Sequence, residues 1–298
     1  MNKPLALTKE TLIEAVPMGG AALDADATDE RLLEMWLHGK SGHTKRAYRR
    51  DVRCLRAFTG GKPLRAMTLG DLQAFADSLE GEASSRGRVL AGVKSLLTFA
   101  SKLGALPFNV GAALRKPPAR DGLADRILDE GQVQRMLGKT DGRDHALVRL
   151  LYAGGFRISE LVGLRWKDLA DASDGEMYVT VLGKGGKTRT VRISAATATI
   201  LRDMRGNARE EDPLFKGYKG QTLSASQAAR IVKAVAKKAQ IPKSVSPHFM
   251  RHAHASHAIE RGVKVTTVRD TLGHSSIAVT DRYAHARPEK SSGLALPV

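Results

Sequence analysis

The chain has 298 residues, 42% of them hydrophobic, a length that usually divides between two cores and a composition that suffices for ordinary globular folding. A formal net charge of +17 exceeds what solubility requires and draws polyanions, nucleic acid above all, although a ribosomal-type protein or an incidentally basic enzyme would carry it too. No apolar run could span a bilayer, the opening MNKPLALTKETLIEAV turns acidic where an export signal would stay apolar, and the single cysteine, Cys54, cannot form an internal disulfide; the expected setting is the reducing cytoplasm. Aromatic residues are only 5%, which favours contact with a duplex backbone over base-stacking on single strands.

Residues 1–30 set Lys3 and Lys9 against Glu10, Glu14, Asp24, Asp26, Asp29 and Glu30, so the basic surface lies further on, and 1–28 is expected as a flexible leading segment. From 29 to 106 the pattern is helical. Ala47, Tyr48, Val52, Leu55 and Phe58 recur at spacings of three and four, with Lys45, Arg46, Arg49, Arg50 and Arg53 elsewhere on the surface. Thr68 and Asp71 form a capping pair for a helix carrying Leu72, Phe75, Ala76 and Leu79. Ser84 or Ser85 starts another, with Val89, Leu90, Val93, Leu96, Leu97, Ala100 and Leu103 inside and Gly104 as its stop. A compact four-helix bundle with basic outer faces follows, which periodicity alone does not distinguish from any helical domain.

Residues 107–126 lack periodicity and contain Pro107, Pro117 and Pro118, so they are expected as an interdomain linker held extended by the proline pair. A second domain spans 127–298. Asp129 caps a helix through Val133, Met136 and Leu137. Met177–Leu182 and Thr190–Ile193 are rich in strand formers around the turn Gly183–Lys187. The remainder is predicted helical, at about 195–205, 224–240, 247–260, 264–272 and 277–285.

Four clusters could carry chemistry. Gly186-Lys187-Thr188 has the ending of a phosphate-binding loop, but Val181 stands where that loop needs glycine, and no helix follows; the glycines make a hairpin turn. Lys184 and Lys187 project from that tip, within reach of a DNA backbone. In His248-Phe-Met-Arg251-His252-Ala-His254-Ala-Ser-His257 the histidine spacing could suit a metal, yet no carboxylate or cysteine sits at ligand spacing and Arg251 would repel a dication. His248 and Arg251, three apart, can instead converge on one anion. Arg157, in Gly154-Gly-Phe-Arg157-Ile-Ser-Glu160, enters a largely apolar stretch and needs an anionic partner, either protein or ligand. The last cluster is Leu272-Gly-His274-Ser-Ser-Ile277 with Thr280-Asp-Arg-Tyr283.

Taken in order, GFRISELVGLRW, LGKGGK, HFMRHAHASH and LGHSSIAVTDRYAH resemble the tyrosine recombinases, most closely the Xer-like and phage-integrase branches. The resemblance is strong over about 127–287 and weak over 29–106. It implies a mainly α fold with a small β-hairpin or sheet in the catalytic domain, arranged as a two-domain DNA clamp: a SAM-like four-helix bundle and an integrase-type catalytic domain. Residue by residue it implies that Arg157, Lys184, His248, Arg251, His274 and Tyr283 are catalytic, with Glu160 supporting them from behind. His252 and His257 also match common family residues, whereas His254 stands where an aromatic is usual and is expected to change packing only. The tail ARPEKSSGLALPV is short for the docking helix of Xer relatives, which puts tail exchange in doubt.

The implied activity is cleavage and rejoining of duplex DNA through a 3′-phosphotyrosine on Tyr283, with Lys184 as general acid and His248 assisting proton movement at the tyrosine. No metal or other cofactor is expected. Lys45, Arg46, Arg49, Arg50 and Lys187 are the expected DNA contacts. Partners implied are double-stranded DNA and a tetramer on paired recombination sites, with no membrane; the need for a partner recombinase or accessory protein stays open. The alternatives are relaxation of the type IB topoisomerase kind and a catalytically silent DNA-binding relative.

Overall fold

The computed structural model describes residues 28–118, 122–183 and 186–284. The expected leading segment 1–28 lies outside them except for Thr28, as do Lys184 and the chain after 284. The chain divides into two compact units, 1–120 and 121–298.

The first unit is built from α1 (Asp29–Leu37), α2 (Gly42–Phe58), α3 (Leu69–Ser78) and α4 (Ala83–Lys102). Thr28 and Ser41 cap the first two through side-chain oxygens, and Thr68 with Asp71 closes a reciprocal capping box on the third. The start of α4 differs from expectation. Glu82 occupies its N-cap without a side-chain hydrogen bond, so neither serine caps it. Trp36, Leu55, Leu72, Phe75, Leu90, Leu96 and Leu97 fill the core. Across α2 and α4 the buried Asp51 receives two hydrogen bonds from Arg88, at 2.7 and 2.8 Å. Among its described residues the stretch expected as a linker contains two short turns, Val110–Ala113 and Ala124–Arg126, and its Val110 and Leu114 are buried in this same core, because their apolar side chains find a surface there.

The second unit contains α5 (Glu130–Leu137), α6 (Gly142–Gly154), α7 (Ile158–Gly163), β1 (Leu169–Asp171), β2 (Met177–Leu182), β3 (Thr188–Ile193), α8 (Ala195–Arg205), α9 (Ala225–Lys238), α10 (Pro247–Glu260), α11 (Val265–Leu272) and α12 (Ile277–Ala284). The sheet is antiparallel in the order β1-β2-β3, with Met177 opposite Ile193 and Leu182 opposite Thr188. Strand β1, with Leu169 opposite Val179, adds to the hairpin that patterning reveals; three residues are too few to show alternation. Met177, Val179, Val181, Val191 and Ile193 face the main core with Leu147, Leu151, Leu161 and Trp166. A smaller cluster of Leu123, Ile127, Ala255, Val268, Leu272 and Tyr283 seats α10, α11 and α12 together. It brings the last expected site residue against the others.

Candidate active site

Helix α6 ends at Gly154 and is capped by Gly155, whose φ of 59° is left-handed. A Cβ there would lie 2.6 Å from Leu272 and 2.8 Å from His254, so glycine alone lets the chain pass this close. The chain then reverses, and Arg157 becomes the N-cap of α7. The backbone N–H of Arg157 donates to Glu160 Oε2 at 2.9 Å, and its guanidinium donates to Glu160 Oε1 at 2.7 Å and to the Gly273 carbonyl at 3.3 Å.

Glu160 is gripped from the other side as well. Arg189 of β3 donates to both its oxygens, at 3.0 and 2.8 Å, and its Nε donates to the Thr271 carbonyl at 2.7 Å. Burial alone would raise the Glu160 carboxyl, but the bonds from Arg189 and Arg157 outweigh it and hold the group at about 2. Glu160 is therefore an anion tying the hairpin to the chain reversal and to the turn before His274.

Helix α10 opens on Pro247 and presents His248, Arg251 and His252. Arg251 is 4% exposed, and its guanidinium donates to the carbonyls of Gly155 at 2.6 Å and Leu272 at 2.7 Å. Those bonds fix its plane without neutralising its charge, and among the described residues no carboxylate lies at ion-pair distance from it. Burial, reinforced by Arg157, lowers its pKa to about 10. His274 shares a hydrogen bond between Nδ1 and the hydroxyl of buried Thr280 at 2.8 Å, which leaves Nε2 as the ring's remaining polar atom. Burial with Arg251, Arg157 and Arg189 nearby holds this imidazole at about 4. Tyr283 lies stacked along His274, ring planes 9° apart and centroids 6.5 Å apart, and its hydroxyl is 2.7 Å from Nδ1 of His252.

Arg157, His248, Arg251, His274 and Tyr283 thus line one cavity of ≈ 290 Å³, together with Arg126, His252, Arg282, Leu123 and Val279. Among the described residues lining it there is no carboxylate. A tetrahedral anion fits such a lining, and a cation does not. The other histidines of the cluster turn away: His254 Nδ1 meets the Tyr152 carbonyl at 2.7 Å and His257 Nδ1 meets the Tyr152 hydroxyl at 2.9 Å. Among the described residues no group of three or more metal-ligating side chains occurs.

Comparison with known proteins settles the kinship. The phage integrase family model matches residues 126–290, and the N-terminal SAM-like domain of phage integrases matches residues 32–104. The chain belongs to the phage integrase family. The tyrosine recombinase XerC of Xylella fastidiosa (strain M23) is 36% identical over 83% of this chain and 87% of that protein. The tyrosine recombinase XerC of Rhodospirillum centenum is 34% identical over 92% and 87%. Among solved structures, a lambda integrase dimer bound to a COC′ core site superposes with a TM-score of 0.72 at 18% identity, covering 88% of this chain and 79% of that one, which speaks for the fold. Like its phage-integrase relatives, this chain is a tyrosine-type site-specific recombinase.

Some residues of the integrase site escape a reading by motif. Arg189 left a signal, since it shares the inward register of Val191 and Ile193, and an arginine facing a core needs an anion. Arg126 follows a stretch without periodicity and left none. The remaining expected contacts lie on α2 and at the hairpin tip. Arg49 donates twice to Glu34, at 2.8 and 2.7 Å, and Arg46 meets His43 at 2.9 Å. Arg50 and Lys187 are exposed and Lys45 is half-buried. Among the described residues no helix is long and apolar enough to cross a membrane.

Proposed function

We propose that the chain cleaves duplex DNA by attack of the Tyr283 oxygen on a backbone phosphorus, forming a 3′-phosphotyrosine and releasing a 5′-hydroxyl. Attack by a 5′-hydroxyl from a second duplex then reverses the step and exchanges strands. The observation that supports this reading is the convergence of Arg157, Arg251, His274 and Tyr283 on one cavity whose most buried cation, Arg251, has no carboxylate partner among the described residues. A scissile phosphate is the anion such a cation lacks. Both guanidiniums keep free N–H groups for its non-bridging oxygens, where charge grows in the pentacoordinate transition state.

Glu160 acts from behind by orienting Arg157. Lys184 protonates the departing 5′-oxygen, and His248, in the first turn of α10, assists proton movement at the tyrosine. Lys45, Arg46, Arg50 and Lys187 contact duplex phosphates, with Arg49 joining them if DNA displaces Glu34. Exchange between two duplexes needs four active sites, hence a tetramer on paired sites. The basic charge and the lone Cys54 support action in the cytoplasm. The chemistry draws on protein groups only, so EDTA should leave cleavage unchanged.

A supercoiled plasmid, with and without two copies of the site recovered from covalent adducts in cells, tests this. Recombinant circles should form only with paired sites. Relaxation of the site-free plasmid would mark a type IB topoisomerase, and absence of any cleavage a silent DNA-binding relative. The acid is tested with a 5′-bridging sulfur substrate, whose leaving group needs little protonation: Lys184→Ala should fail on normal DNA and recover on sulfur, whereas Lys187→Ala should show only a salt-sensitive binding defect. Recovery of Lys187→Ala instead would move the acid to that residue.

A further inference from the structure

We propose that His252 is a further catalytic residue of this site, holding the hydroxyl of Tyr283 through Nδ1 and accepting its proton as the phenol attacks phosphorus. The inference rests on Tyr283 being the nucleophile. A buried phenol is a poor nucleophile: ordinary tyrosine is under about one per cent ionised at neutral pH, and burial raises Tyr283 further. Some group touching the oxygen must take the proton as the bond forms. His252 Nδ1 lies 2.7 Å from that oxygen. The ring of His248 neighbours that of His252, centroids 6.4 Å apart, but the hydrogen bond to the Tyr283 hydroxyl is made by His252. His274 stacks along Tyr283 but spends its Nδ1 on Thr280.

The surroundings suit a base that works only with substrate in place. Burial, with His248, Arg126, Arg251 and Arg282 nearby, keeps the free imidazole neutral, so Nδ1 has a lone pair for the phenol to donate to. A phosphate entering the same cavity cancels part of that positive field and makes the imidazole more basic at the moment its basicity is needed. The step balances: the Oη–P bond forms as the P–O5′ bond breaks, the phenolic proton passes to His252, and a proton from the general acid reaches the 5′-oxygen. In the reverse step His252 returns its proton to the departing tyrosine.

The test uses the full chain and a nicked duplex carrying the site recovered from cellular adducts, with covalent adduct read on a denaturing gel. Wild type must form adduct and Tyr283→Phe must not; if either fails, the reading of Tyr283 fails, whatever His252 does. With that established, His252→Ala should form adduct at least about 100-fold more slowly at unchanged DNA affinity. His252→Asn, whose side chain can still accept the hydroxyl without taking its proton, should be comparably slow. Added imidazole should restore His252→Ala but not His252→Asn, which a purely structural role would not produce. Adduct formation by His252→Asn within threefold of wild type would overturn proton transfer. Faster cleavage by His252→Ala would make the contact a restraint on the nucleophile and overturn the proposal altogether.

Discussion

His252, His254 and His274 are each held at about 4, burial being the largest cause in every case. The sign of the linkage follows directly. These groups are depressed in the folded chain from an ordinary value of 6.5, so the unfolded chain binds protons first as pH falls. The stability they represent is fully present above about pH 6.5 and is lost as pH falls through about 4, at up to ~1.4 kcal/mol per pH unit for each ring. The melting temperature should therefore fall steeply between pH 6.5 and 4. His254→Phe, which removes the titrating ring but keeps an aromatic, should flatten that fall by about one proton's worth. An unchanged pH dependence in this variant would mean that His254 is not held neutral. The position was legible from sequence as a departure in packing. Its hydrogen bond to the Tyr152 carbonyl was not, because the two residues lie 102 positions apart, on α10 and α6, and such a contact leaves no trace in spacing.

At the scale of elements, strand β3 shows where patterning succeeds and where it stops. Alternation marks Val191 and Ile193 as inward, and the same alternation puts Arg189 inward, opposite Val181. Its partner Glu160 lies on α7, and nothing in a linear pattern says that the hairpin folds back to that helix. The capping pair Thr68–Asp71 and the cap at Asp129 were legible, since capping partners lie within one turn; the reciprocal bond to Gln132 emerges only in the structure. Because Glu160 is buried and charged, removal of Arg189 leaves it with Arg157 alone. Arg189→Ala should lower unfolding stability by ~3–5 kcal/mol, measured in urea, and should slow cleavage through loss of Arg157 alignment. Adding Glu160→Gln to Arg189→Ala should recover part of the stability without recovering the rate. A loss below ~1 kcal/mol in the single variant would show that the network does not bear on folding.

The whole molecule was legible in outline: the helical first half matches the SAM-like domain model and the second half the phage integrase model, as the resemblance implied. What sequence could not supply was three-dimensional juxtaposition, such as Arg88 reaching Asp51 inside the first unit or Tyr283 joining the cluster of Leu123, Ile127 and Leu272 in the second. That cluster makes the central claim specific, because it sets one tyrosine hydroxyl beside the cation-rich cavity. The direct measurement is mass spectrometry of the peptide retained on DNA after denaturation and nuclease digestion. The wild-type chain should yield a phosphotyrosine-linked nucleotide at Tyr283, joined through the 3′-phosphate, and Tyr283→Phe should bind the same DNA and yield none. A nucleotide mapped to any other residue, or an adduct that persists in Tyr283→Phe, would contradict it.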